Sequence, residues 1–150
     1  MSGRSARVVF DFDGALQVAR HSWQTADALD RLAAARRQGA EHAAVGWSGV
    51  YGAEFALRVD AEMQGAVTVA TQLRGEAEGW ALEWTYAVDQ ENWHRYQDAC
   101  DRVRDDRSLL EGMTGFFFGH DDLPPEPRAV ATPQPPGFAA TARLADYSRF

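Results

Sequence analysis

Three features of the sequence predict an all-α fold: an antiparallel two-helix hairpin with a long second helix and an extended, proline-rich C-terminal tail. Apolar residues recur at spacings of three and four over two long stretches, the period of one face of a helix. Three glycines within seven residues, inside AAVGWSGVYGAEF (43–55), separate the two stretches. All six prolines lie between Pro124 and Pro136, so no proline interrupts either stretch.

The first helix is expected over about 14–44, on the recurrence of Leu16, Ala19, Trp23, Ala26, Leu29 and Leu32/Ala33. Asp13 is placed to cap it, with a carboxylate suited to the positive end of the helix dipole. The turn falls at 46–49, where Gly46 and Gly49 supply backbone freedom and Ser48 can cap the next helix. The second helix is expected over about 50–110. Phe55, Val59, Met63, Ala66, Ala70, Leu73, Ala77, Trp80, Trp84 and Ala87 form a heptad seam along it. At Glu91 a second stripe takes over, through Trp93, Tyr96, Cys100 and Val103. Gly75 and Gly79 each cost about 1 kcal/mol relative to alanine, and the helix is read as continuing through them. Residues 8–110 thus make one helical hairpin.

Residues 111–150 read as a tail, with aromatic patches on either side of the proline spacer. Phe116, Phe117 and Phe118 lie before it, and Phe138, Tyr147 and Phe150 after it. These rings are expected to dock on the chain's own helices or on a partner. The predicted packing seam comprises Trp23, Leu29 and Leu32 on helix one with Val59, Met63, Leu73, Trp80 and Trp84 on helix two. Two helices leave such a seam half uncovered, so association with a second hairpin is expected.

Composition narrows the function. A net charge of −7 over 150 residues argues against non-specific nucleic-acid binding, and RLAAARR (31–37) is a short basic cluster on a mixed surface. One cysteine, Cys100, makes neither an intramolecular disulfide nor a zinc site alone. The chain has no lysine, no isoleucine and a single asparagine, Asn92, a bias of GC-rich coding, so arginine must serve any site needing a cation. No run approaches the ~18 apolar residues of a membrane span. Asp11 and Asp13 interrupt the first apolar run, so no cleaved leader is expected and any export would be of a leaderless protein.

VVFDFDGAL (8–16) resembles the nucleophile motif of the haloacid dehalogenase superfamily of phosphatases. That resemblance implies Asp11 as nucleophile and Asp13 as general acid/base, with Thr71, Arg102 or Arg104, and Asp121 with Asp122 as stand-ins for the other parts. The scaffold argues against it. Such sites sit at the ends of parallel strands, whereas Thr71 lies inside the heptad seam, and Ala15 stands where the motif has threonine or valine. GWSGV lacks the last glycine of a nucleophile elbow, because Val50 occupies that position. His94 with Asp98, and His120 beside Asp121 and Asp122, are isolated pairs. A catalytic role, a cofactor and a metal centre are not expected.

The order helix, GWSG, then a longer helix opening VYGAEF resembles the WXG family of small type VII secretion proteins, the early-secreted-antigen-like helical hairpins. Trp47, Ser48 and Gly49 match its signature tripeptide at the hairpin turn, Phe55 matches the aromatic one turn into helix two, and FDFDGAL matches its lead-in. The resemblance covers about residues 8–90. It implies dimerisation with itself or a paralogous hairpin into a four-helix bundle, Trp47 at the turn forming part of an export surface, and a secretion ATPase or larger effector as further partner. It also implies a protein that is cytoplasmic before export, then secreted or cell-surface. The family's Tyr-x-x-x-Asp/Glu signal is absent: Phe55, Gln90 and Cys100 stand four residues after Tyr51, Tyr86 and Tyr96, and Tyr147 lies three residues from the last.

Overall fold

The structure, a computed structural model, describes residues 9–114 and 123–150. Two helices, α1 (Phe12–Ala43) and α2 (Val50–Thr114), fold back on each other as an antiparallel hairpin. Residues 123–150 carry neither helix nor strand, and they run along the hairpin rather than away from it. Phe116, Phe117 and Phe118 lie outside the described residues.

α1 begins two residues earlier than the capping pattern suggests. Asp11, not Asp13, is the N-cap, accepting a hydrogen bond from the Gly14 N–H at 2.9 Å. The cause is apolar: Phe12 packs against the core and stands edge-on to Phe10, with ring centroids 5.2 Å apart, so the first turn is drawn into the helix. Gly14 is part of the same arrangement, since a Cβ there would overlap the Asp11 carboxylate folded over it. Asp13 sits in the first turn, where its charge still suits the dipole.

The chain reverses in a few residues. Ala44 N–H donates to Ala40 O at 2.9 Å and Trp47 N–H to Ala44 O at 2.9 Å. Gly46 (φ 83°) and Gly49 (φ 79°) adopt the left-handed conformation that other residues rarely tolerate. α2 then runs unbroken for 65 residues, about 97 Å, through Gly75 and Gly79, which have open space around them. It extends well past the start of α1.

Small residues set the helix spacing. Ala15, Ala19 and Ala26 on α1 and Ala70, Ala77 and Ala81 on α2 are buried, letting the backbones approach closely. A polar clasp crosses the interface midway: Arg74 donates to Asp27 at 2.8 Å and to Asp30 at 2.6 Å, with its guanidinium 5.5 Å from the Trp23 ring centre. Those two carboxylates hold the Arg74 charge more firmly than in water. Nearer the turn, Arg36 pairs with Glu62.

The residues of the predicted seam differ in burial. Met63 and Trp84 are buried, and Trp23, Leu29, Val59 and Leu73 are half-buried. Leu32 (53% exposed) and Trp80 (41% exposed) face outward. A straight helix drifts about 20° per heptad against a seven-residue repeat. The buried line therefore runs Met63, Ala70, Ala77 and then steps by four to Ala81, leaving Trp80 on the flank. Leu32 is exposed because no third element covers that part of α1.

The tail supplies the third element elsewhere. It follows α2 toward the turn, reverses at 135–138, and returns. Phe138, fully buried, inserts among Leu16, Ala19, Ala77, Ala81, Trp84 and Val88, with its ring 5.8 Å from that of Trp23. Its φ of 44° is unfavourable for a bulky residue, a cost of order 1–3 kcal/mol that the burial offsets. The tail thus completes the hairpin's core. Phe138→Ala should lower unfolding free energy by about 3–5 kcal/mol and Asp11→Ala by about 1 kcal/mol, both read by urea denaturation followed at 222 nm.

Candidate functional site

The bend presents an apolar tip. Trp47 is 57% exposed, and its ring lies 5.2 Å from Phe55, one turn into α2. The indole leans on Phe55 and keeps the rest of its surface in solvent. Ser48 is exposed and forms no cap among the described hydrogen bonds. Gly49 stands directly before α2 and accepts from Ala53 N–H at 3.2 Å. Val45, Val50, Tyr51 and Leu57 are likewise exposed, so the tip carries a cluster of large apolar side chains without cover.

On one flank of the hairpin, between the Arg74 clasp and the bend, an open groove of about 310 Å³ runs between the helices. Ala33, Ala34, Met63 and Val67 form its apolar lining, and Asp30, Arg37, Gln38 and Glu41 its polar rim. The α1 stripe Leu16, Arg20, Trp23, Asp27, Asp30, Ala34, Arg37, Glu41 advances by threes and fours, so one helix face carries this groove and the tail contacts alike. The same face is filled at one end and open at the other.

In the filled part, hairpin side chains hold tail backbone. Asn92, buried, accepts from Ala145 N–H at 2.7 Å and donates to Arg143 O at 3.4 Å. Asp89 accepts from Val130 N–H at 3.0 Å, and Arg95 donates to Ala145 O at 3.2 Å. Arg20 reaches Phe138 O at 3.4 Å and Arg102 reaches Tyr147 O at 3.5 Å. Thr85 and Thr132 share a hydroxyl hydrogen bond of 3.0 Å. Tyr147 is buried near Tyr96 and donates its hydroxyl to Pro125 O at 2.9 Å, tying the two arms of the tail together. Phe150, 40% exposed, lies edge-on to Tyr147 at 6.3 Å. Of the aromatic residues expected to dock, Phe138 and Tyr147 are inserted and Phe150 lies at the margin.

The sequence alone gives Asn92, Asp89, Thr85 and Arg95 no role, Asn92 being notable only as the single asparagine, and it offers Arg102 only as a stand-in within the phosphatase resemblance. Thr85, Asp89, Asn92 and Tyr96 recur at four, three and four, a polar stripe beside the apolar seam that signals a helix face built to meet backbone.

The aspartates of the phosphatase resemblance have other work. Asp11 caps α1, and Thr71 donates its hydroxyl to Val67 O within α2. Among the described residues there is no strand on which such a site could be hung.

Tyr147 is shifted above its ordinary value of 10.0 by burial, aided by the neighbouring Cys100. Tyr96 is shifted the same way by its hydrogen bond with Cys100 and by burial. A tyrosine that holds its proton more tightly when folded adds stability in full below the unfolded value, and loses it as pH climbs through the folded one. Alkaline titration followed at 295 nm should therefore show Tyr96 and Tyr147 ionising late, with stability falling above about pH 10. In Tyr147→Phe one late-ionising phenol should disappear. Comparison with family models, with curated proteins and with solved structures found no match to this chain.

Proposed function

We propose that the chain is a non-enzymatic WXG-like hairpin that acts by pairing with a second hairpin, itself or a paralogue, as a substrate or partner of a type VII secretion system. The observation that carries the reading is the Trp47-Ser48-Gly49 bend, held between two long helices with its indole half exposed in an apolar tip. A two-helix unit uncovered at this end gains by apposing a second pair. The uncovered stretch from about Asp27 to Ala43 is some 25 Å long and a helix pair about 20 Å wide, roughly 500 Å² per partner. Its 1,000 Å² or so, counted over both partners, falls at the low end for a specific complex, which suits a reversible pairing.

A generic helical adaptor or chaperone is the second reading, favoured by the groove that holds an extended segment through its backbone. Genomic neighbours separate the two: an adjacent gene for another Trp-x-Gly hairpin or a secretion ATPase supports the first.

Concentration of the chain alone should give a species of twice the 16.6 kDa monomer mass by light scattering, or co-expression with a neighbouring hairpin should give one of the two monomer masses added together. Trp47→Ala should weaken pairing at least tenfold while leaving the far-ultraviolet circular dichroism unchanged. A monomer at every concentration, with no partner retained, would overturn the proposal.

A further inference from the structure

Recognition of the tail has the form of a bound peptide. Six side chains, Arg20, Thr85, Asp89, Asn92, Arg95 and Arg102, hydrogen-bond to it. Five of them address its backbone, and two aromatic anchors, Phe138 and Tyr147, fill the recesses. Asn92 reads both a donor and an acceptor of the segment, the arrangement by which an amide side chain holds an extended chain. The segment brings no helix or strand of its own, so its docked form is imposed by the groove.

We propose that this groove is a binding site for an extended, proline-rich segment with two aromatic anchors, and that its occupant in trans is residues 123–150 of a second copy. The inference does not rest on the secretion role. Each of these contacts lies either between hairpin and segment or within the segment, so reciprocal exchange keeps them in both subunits. The chain's own segment has the advantage of tethering, equivalent to a local concentration near millimolar. Exchange therefore requires crowded chains or a released tail.

The test uses the full chain carrying Phe138→Asp and Tyr147→Asp, which frees its own tail, titrated with labelled 123–150 peptide and monitored by fluorescence anisotropy. Saturable one-to-one binding is expected, at least tenfold tighter than to the wild-type chain. Adding Asn92→Ala should weaken it a further tenfold. A helical double variant that binds no peptide, or a wild-type chain that binds it equally well, would overturn the proposal.

Should the double variant lose its helical signal, two differently tagged wild-type chains decide the matter. Brought to about millimolar concentration together and then diluted, they should co-purify, and excess free peptide should dissolve the pair. Failure to co-purify counts against exchange. So does a mixed pair that ignores peptide, which is the signature of pairing at the bend instead.

Discussion

Two helices lying side by side cannot enclose a large side chain, and the rest of this structure depends on how that deficit is met. Trp84 and Val88 are fully shielded only because Phe138 closes the third side. The closure is local. Where the tail runs, the hairpin has a core; where it does not, the helices meet through alanines and Met63, and large apolar side chains stay in solvent. Burial at about 25 cal/mol per Å² favours covering that remainder with something. The distribution of buried surface thus divides the molecule into a closed part and an open one.

Polar contacts give this division its sharpness. Arg74, held by Asp27, Asp30 and the Trp23 face, stands at the boundary between filled and open groove. On the tail side, an unpaired backbone group pressed against the helices would cost about 1–3 kcal/mol, and the Asn92 amide and Asp89 carboxylate prevent that. A proline-rich segment suits such a cradle, since it has fewer N–H groups to satisfy and less freedom to lose on docking.

Helix type and order were legible in the sequence, because spacings of three and four and the glycines at 46 and 49 act locally. What escaped depended on distant neighbours. Asp13 looked like the cap until Phe12 found its place against the core and drew the helix start back to Asp11. Trp80 shares the heptad pattern of Trp84, yet helical drift rotates one outward and the other inward. Phe138 looked like one exposed aromatic among several, and only its pocket, built from helix residues fifty or more positions away, distinguishes it. Asn92 shows locally only as one position of the polar stripe through Thr85, Asp89 and Tyr96, for what it holds is defined by segments fifty residues later.

The loop made by the tail has a mechanical side. Its return arm is attached to α2 by hydrogen bonds set in a row, at Asn92, Arg95 and Arg102, and it is stitched to the outgoing arm through the Tyr147 hydroxyl. Tension applied at the Phe150 end and directed away from the helices loads these fastenings singly, so the arm peels like a zip, with the buried phenylalanine last to yield. Tension along α2 loads them together. The same segment is easy to lift from its end and hard to drag along its bed.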